Sequence, residues 1–208
     1  MKKTWVIAIV VILIVVVLIA RITQRKAWKE KVTHSRPVGI SLSDVDISAA
    51  INYGKNHKDD LLVDFEKPWT VFLGYGSGKG SATIFTPYHY LALMARNSVR
   101  DNSDMDTEVL CRLCAENHKD LYFEITLYGD DEGFDREYKA VVLKDGLEIP
   151  ILKTIRQGYD QAREYTISSQ QKLYLPVDIV QEKGKITLRI VKSKEMSLDF
   201  VFDLKKLS

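Results

Sequence analysis

Apolar and polar residues alternate in a series of short segments between residues 120 and 204. In Leu121–Leu127 every odd-numbered residue is apolar, and the segments 186–190 and 198–204 repeat the alternation. Because successive side chains of a strand point to opposite faces of a sheet, this period of two predicts half-buried β-strands. Glycine and aspartate residues separate the segments and indicate tight turns. Several short strands joined in this way favour a β-sandwich.

Before residue 120, the spacing of apolar residues is typical of strands in some segments and of helices in others. Two short apolar segments, 69–73 and 82–86, predict strands that belong to the same sandwich. We expect the first of the predicted helices to cap one face of the sandwich and the other two to form an insertion between its second and third strands. A separate helical subdomain is the alternative. Apolar residues three and four positions apart predict these helices over 44–57, 87–102 and 106–118.

An unbroken apolar segment, Trp5 to Ala20, follows two lysines and ends at Arg21. As a helix its sixteen residues would span about 24 Å, and a few more residues bring it close to the ~30 Å hydrocarbon core of a bilayer. A cleaved signal peptide is the alternative, but no small-x-small cleavage site follows the segment. We therefore predict an uncleaved single-pass anchor at 1–23, with the lipid bilayer as its partner. Basic residues mark the membrane interface: Lys2, Lys3, Arg21, Arg25 and Lys26.

The net charge of +2 conceals an uneven distribution along the chain. Residues 1–31 hold seven of the 30 Lys and Arg residues but one of the 28 Asp and Glu residues, which leaves residues 32–208 with a net charge of −4. A mildly acidic body lacks the basic face by which proteins usually bind nucleic acid. We therefore predict no nucleic-acid partner.

The same charges bear on which side of the membrane holds the body. Lys and Arg in excess normally stay in the cytoplasm, and the region after the apolar segment holds more of them than the region before it. Counted literally, this favours a cytoplasmic body. A short N-terminal tail with two lysines is, however, the usual start of an exported protein. We expect a cell-membrane protein with an extracytoplasmic body, and a cytoplasmic body is the alternative.

These elements together predict an α+β protein, with an N-terminal transmembrane helix followed by an immunoglobulin-like β-sandwich that carries a helical insertion. A basic juxtamembrane linker would occupy 24–42, and a single domain would occupy 43–206. Within that domain we place the strands at about 69–86 and 120–204 and the helical insertion at about 87–118.

A glycine-rich segment, Gly74–Ser81, separates the first two predicted strands. A phosphate-binding P-loop needs Gly, four residues, and Gly-Lys-Ser/Thr at the start of a helix. Here the first glycine is one residue too close, Gly80 takes the hydroxyl position, and a strand-like sequence follows. We interpret the segment as a hairpin loop. Loops on rigid sandwiches often carry binding, and we choose three residues as candidate contacts for a ligand or partner: Tyr75, Ser77 and Lys79.

Two cysteines, Cys111 and Cys114, form a CxxC motif inside a predicted helix. A redox pair needs one thiol at a helix N-terminus, and a structural zinc site needs a fourth ligand besides the two cysteines and His118. We therefore expect Cys114 to pack in the core. The acidic segment Asp130–Asp135 lacks the ligand spacing of an EF-hand, and we interpret it as a solvated turn. No metal and no cofactor are predicted.

Several short motifs are similar to those of a known group of proteins. With them the stretch 40–206 resembles a domain of unknown function in membrane-anchored proteins of spore-forming and thermophilic Gram-positive bacteria. The resemblance implies an exported or membrane-tethered location and gives no residue a role. The motifs are Leu73-Gly74-Tyr75-Gly76, Ser81-Ala82-Thr83, Thr86-Pro87 followed by Leu91-Ala92, Phe123 to Asp130, and Phe202-Asp203-Leu204.

Two functional hypotheses follow. The first is a membrane-tethered binding or scaffolding module of the bacterial cell envelope, which contacts a protein or an envelope polymer through the helical insertion and the Gly74–Ser81 loop. The second is a membrane-anchored hydrolase or redox enzyme. The enzyme hypothesis requires several reactive side chains to converge in one pocket. The candidates are His57, His89, His118, Cys111, Cys114 and the acidic turns.

Overall fold

The computed structural model describes residues 42–103, 105–117, 121–163, 166–176, 184–193 and 196–204. These ranges belong to one unit, Gly39–Ser208. Within them no helix is both long and apolar enough to span a bilayer. Outside the described residues lie the predicted linker up to residue 41 and the predicted anchor with its interface residues: Lys2, Lys3, Arg21, Arg25 and Lys26.

Two helical segments precede the first strand. Helix α1 (Asp44–Asn56) begins after Ser43, whose side chain accepts a hydrogen bond from the Asp46 backbone N–H at 3.2 Å. The Asp46 carboxylate accepts one from the Ser43 backbone N–H at 3.2 Å, which completes a capping box. A short helix, α2 (Leu62–Phe65), and a 3₁₀ turn (Lys67–Trp69) then lead into the first strand.

Two longer helices, α3 (Pro87–Arg100) and α4 (Thr107–Asn117), lie between the second and third strands, at the place where the sequence predicts a helical insertion. The Thr86 hydroxyl accepts a hydrogen bond from the His89 backbone N–H at 3.1 Å, and Pro87 stands in the first turn. Helix α3 therefore begins where its capping residue and its proline favour a helix start.

Helix α1 packs chiefly against α3, which corrects the expectation that it caps one face of the sandwich. The contact is close because Gly54 has no side chain: a Cβ at this position would lie 2.1 Å from the Ala92 carbonyl oxygen. The face of α1 that carries Ala50, Ile51 and Gly54 is buried against this neighbour. Helices α1 and α3 therefore form a closely packed pair.

Nine strands in the described ranges form two antiparallel sheets. The five-stranded sheet has the order β1 (Thr70–Phe72), β2 (Lys79–Phe85), β3 (Leu121–Gly129), β7 (Thr166–Leu175) and β6 (Lys153–Arg163). The four-stranded sheet has the order β5 (Leu147–Ile149), β4 (Lys139–Lys144), β8 (Lys185–Ser193) and β9 (Met196–Asp203).

The two sheets share one core, which confirms a β-sandwich with associated helices. The register pairs Ile84 with Phe123 and Phe123 with Leu173, so these three buried side chains lie on one face of the five-stranded sheet. The ring of Phe123 lies 5.1 Å from the ring of Phe202 in the other sheet. Because strand side chains alternate, neighbours such as Tyr122 point to the opposite, outer face.

The β6 strand lacks the period of two that predicts the other long strands. It lies at the edge of the five-stranded sheet, and its register against β7 shifts between Arg156 and Gly158 and again between Gln161 and Arg163. A bulge of this kind leaves a residue unpaired and reverses the faces to which the following side chains point. A regular alternation of apolar residues cannot persist along such a strand.

Candidate functional site

The Gly74–Ser81 segment forms the turn of the β1–β2 hairpin and the first three residues of β2, and it is thus part of a hairpin, as predicted. Three of its glycines adopt positive φ angles: Gly74 at 107°, Gly76 at 105° and Gly78 at 72°. The loop is also hydrogen-bonded to the neighbouring strand β3: the Gly78 N–H donates to the Tyr128 carbonyl oxygen at 3.0 Å. The loop is thus held in one shape by its glycines and by backbone hydrogen bonds.

Aromatic rings surround this loop on the outer face of the five-stranded sheet. Phe72 and Tyr75 are each 51% exposed, and their ring centroids lie 4.8 Å apart. The Tyr75 ring also lies 5.4 Å from the ring of Tyr128 on β3. The register places Phe72 opposite Ser81 and Lys79 opposite Tyr128, so Phe72, Lys79 and Tyr128 share one face.

Lys79 and Ser77 complete this surface. A Cβ built on Gly74 would lie 3.2 Å from Cδ of Lys79 and 3.6 Å from its Nζ, so the lysine side chain lies along the loop. Ser77 is exposed beside it. The structure therefore brings the three residues chosen from the sequence onto one hairpin, with Tyr75 and Ser77 in the loop and Lys79 at the start of β2. Their role in binding stays a prediction. We call the set Phe72, Tyr75, Ser77, Lys79 and Tyr128 the loop surface.

Sequence reasoning missed two members of the loop surface, Phe72 and Tyr128. Each lies in a strand, and each is brought to the loop by the cross-strand register and not by proximity in sequence. The sequence alone suggests that Phe72 is a core residue, because it lies in an apolar segment, Trp69–Leu73. The signal that could have identified it is the alternation of β1, in which Phe72 faces outward together with Thr70.

A second polar cluster lies on the same outer face, beneath α3. His89 is 0% exposed, and its ring stacks between Trp69 at 4.4 Å and Phe85 at 4.6 Å. Its Nδ1 atom lies 3.3 Å from the Ile84 carbonyl oxygen, and its Nε2 atom has no hydrogen-bond partner among the described residues. Burial lowers the pKa of His89 to about 4, and the hydrogen bond to Ile84 opposes this shift.

An acid, Glu66, lies near the His89 ring, with its Oε1 atom 3.7 Å from Nε2. The Glu66 side chain is 20% exposed. Burial raises the pKa of Glu66, the Glu124 carboxylate raises it further, and the Arg96 guanidinium opposes both. Glu124 itself forms an ion pair with Lys172 at 3.2 Å on the outer face of the sheet. The enzyme hypothesis named His89, but neither Glu66 nor Glu124.

Of the side chains named in the enzyme hypothesis, His57, His89 and Cys114 each have different neighbours within the described residues. His57 stacks on Tyr53 at 4.0 Å, and the rings of Tyr53 and Trp69 stand between it and His89. Cys114 is fully buried with its Sγ 3.8 Å from the Pro87 carbonyl oxygen, which agrees with the expected core position.

The protonation state of the two cysteines is also unfavourable for the enzyme hypothesis. Burial raises the pKa of Cys114 to about 12, and it raises that of Cys111 as well, so both remain thiols at neutral pH. Across the described ranges no three His, Cys, Asp or Glu side chains converge in a way that could hold a metal ion. His118 lies outside the described residues.

The acidic segment Asp130–Asp135 is only partly a solvated turn. Asp130, Asp131 and Glu132 are exposed, as predicted, but Asp135 is 0% exposed. Its carboxylate accepts three hydrogen bonds, from the Tyr159 hydroxyl at 2.6 Å, the Ser169 hydroxyl at 2.7 Å and the Gln171 amide at 2.6 Å. For Asp135 the prediction is wrong because its donors stand on two strands far away in the sequence.

Comparisons with known proteins give no family for the chain. No family model matches it, and no curated protein matches it. Part of the fold is similar to a solved structure, IgNAR antibody domain C3, with 12% sequence identity and a TM-score of 0.30. The similar region covers 42% of this chain and 81% of that domain. A similarity at this level carries no argument about function.

Proposed function

We propose that the protein is a membrane-tethered binding module of the bacterial cell envelope, and that it recognises a protein partner through the loop surface. One observation carries this proposal: two half-exposed aromatic rings, Phe72 at the end of β1 and Tyr75 on the loop that follows it, pack together on a hairpin that is held in one shape. Aromatic residues are enriched in the centres of protein interfaces, where they supply a large contact area at a low cost in side-chain entropy.

The position of β1 favours a protein over an envelope polymer. This three-residue strand lies at the end of its sheet and pairs, within the described residues, with β2 alone. Its other edge offers backbone N–H and C=O groups to an extended segment of a partner, with Phe72 beside that edge. A polymer without a peptide backbone could use the aromatic rings but not the strand edge.

The membrane tether rests on the sequence. The apolar segment Trp5–Ala20, the basic residues on both sides of it, and the resemblance to membrane-anchored domains support a single-pass anchor with an extracytoplasmic body. For the fold, we propose the finer description of an immunoglobulin-like sandwich. The two antiparallel sheets support it, and the helices between the second and third strands would be an insertion into it.

Recovery of a partner tests the proposal. Tagged full-length chains would be expressed in the native bacterium, cross-linked and recovered in detergent, for wild type and the double variant Phe72→Ser/Tyr75→Ser. Leu147→Ser is the matched control, because Leu147 is 77% exposed on a hairpin of the other sheet. We expect one partner protein to be recovered by wild type and control, and about tenfold less by the double variant.

Two results would count against the proposal. One is equal recovery of the partner by the double variant, provided that its circular dichroism matches that of the wild type. The other is retention of the wild-type chain by purified envelope polymer when no partner protein is recovered, because that would assign the loop surface to a polymer.

A further inference from the structure

His89 contains a buried polar atom that has no hydrogen-bond partner in the part of the chain that the structure describes. A carbonyl oxygen can only accept a hydrogen bond, so the contact of 3.3 Å between Nδ1 and the Ile84 oxygen requires that Nδ1 carry the hydrogen. In the neutral imidazole, Nε2 is then an acceptor with a free lone pair. This atom is fully buried and has no donor within hydrogen-bond distance among the described residues. Buried polar atoms of this kind are rare and need an explanation.

The group that faces this lone pair is another acceptor. Oε1 of Glu66 lies 3.7 Å from Nε2, and an ionised carboxylate has no hydrogen to donate. With no proton on either atom, two acceptors lie 3.7 Å apart, beside an imidazole ring that stacks on Trp69 and on Phe85. A proton on the carboxyl would let Glu66 donate to Nε2 once the two atoms approach from 3.7 Å to hydrogen-bond distance, and that bond would satisfy both residues.

The charged and titratable groups around the pair favour a proton on Glu66. From β3, Glu124 disfavours a second negative charge beside it, and from β7, Lys172 is occupied by its ion pair with Glu124 at 3.2 Å. From α3, Arg96 opposes protonation, but its guanidinium also donates to the Asp60 carbonyl oxygen and lies over the Phe65 ring. From α1, Tyr53 faces Trp69 with an uncharged ring.

We propose that Glu66 and His89 bind one proton as a unit, with the Glu66 carboxyl donating it to Nε2 of His89. The resulting hydrogen bond is a pH-sensitive latch between the segment Leu62–Trp69 and helix α3. Below the folded-state pKa of the pair the latch is closed. As the pH rises through that value the proton leaves, two acceptors face each other, and the segment loosens from α3.

The two pKa directions agree with a proton on the carboxyl and not on the ring. The pKa of Glu66 is raised by burial and by Glu124, whereas that of His89 is lowered to about 4 by burial. The imidazole therefore stays neutral while the pair holds its one proton, and a second proton enters only in stronger acid.

Glu66→Gln provides the test, because a glutamine amide N–H can donate to Nε2 at every pH without exchanging a proton. Side-chain NMR of His89 in the full-length chain would be followed from pH 5 to 9, together with hydrogen exchange of the Trp69 amide, which donates to the Glu66 carbonyl oxygen. In the wild type we expect one inflection of the His89 signals with Nε2 unprotonated throughout. We also expect Trp69 protection, corrected for intrinsic exchange, to fall about tenfold above that pH.

In Glu66→Gln we expect neither the inflection nor the loss of protection. Glu124→Gln is the control that removes a neighbouring charge and keeps the pair: the inflection should remain and move to lower pH. If Glu66→Gln does not fold, His89→Phe keeps the aromatic stack without the acceptor, and Trp69 protection should then lose its pH dependence. A wild type without an inflection, an unchanged inflection in Glu66→Gln, or a protonated Nε2 at neutral pH would overturn the proposal.

Discussion

Replacing Asp135 with alanine should destabilise the fold more than any exposed substitution in the same segment. Asp135 stands in the connection between β3 and β4, where the chain passes from one sheet to the other. Its carboxylate links that connection to the five-stranded sheet by hydrogen bonds, which it accepts from Tyr159 on β6 and from Ser169 and Gln171 on β7. The alanine variant removes the acceptor and leaves two buried donors, on Ser169 and Gln171, and the partly buried Tyr159 hydroxyl without it.

The magnitude follows from the number and kind of the bonds that are lost. A hydrogen bond to a charged group contributes about 1.5–3 kcal/mol, and the three bonds share one acceptor, so their contributions do not add in full. We expect Asp135→Ala to lower the free energy of unfolding by about 3–5 kcal/mol. Asp135→Asn should cost less, about 1–2 kcal/mol, because one amide oxygen can still accept from Ser169 and Gln171 while the Tyr159 hydroxyl reverses to accept.

The pH dependence of this loss is a second part of the same prediction. Burial alone would raise the pKa of Asp135, but the three hydrogen bonds and the charge of Arg156 hold it below its ordinary value. A group with a depressed folded pKa stabilises the fold above its unfolded pKa of about 3.9, and that contribution is lost as the pH falls through the folded value. The difference between wild type and Asp135→Ala should therefore shrink in acid.

Urea unfolding followed by circular dichroism measures both effects, at pH 7 and at steps down to pH 3. Asp130→Ala is the control, because Asp130 is exposed in the same segment and its loss should change the free energy of unfolding by about 0.5 kcal/mol or less. The reasoning is refuted if Asp135→Ala unfolds at the same urea concentration as Asp130→Ala, or if its deficit is independent of pH.

Three further outcomes are expected. Gly54→Ala should destabilise the protein by about 1–3 kcal/mol in thermal unfolding, because the new Cβ would meet the Ala92 carbonyl oxygen; Asn52→Ala, exposed on the same helix, should not. Cys114 should resist maleimide labelling in the native protein and react after unfolding, and rapid native labelling would contradict its burial. Protease added to intact cells should digest the body, whereas protection until lysis would place it in the cytoplasm.

The sequence pattern predicts the parts of the fold in which local periodicity and burial agree. Leu121–Leu127 alternates because one face of β3 is buried against the second sheet, and Thr86-Pro87 starts α3 because hydroxyl capping and a proline in the first turn are local effects. Strand β6 could not be predicted from the sequence because its two bulges interrupt the alternation of apolar and polar residues. Its position at the edge of the sheet also removes the need for a second apolar face.

The candidate sites depend on contacts between residues that are distant in the sequence. Glu66 and His89 come from different elements, and neither residue type nor spacing indicates that they meet. Asp135 looks like its exposed neighbours until the register of β6 and β7 supplies its three donors. Among these candidate residues, Tyr75, Ser77 and Lys79 are close enough in sequence to be grouped beforehand, since one glycine-rich segment carries them all.

The most direct test of the binding role places a photo-crosslinking phenylalanine analogue at position 75 of the full-length chain in living cells. The same analogue at position 147, on the exposed β4–β5 hairpin of the other sheet, is the control. We expect illumination to give one discrete protein adduct from position 75 and none from position 147. The same adduct from both positions, or no protein adduct from position 75 in cells that express the chain at its normal level, would contradict a partner site at the loop surface.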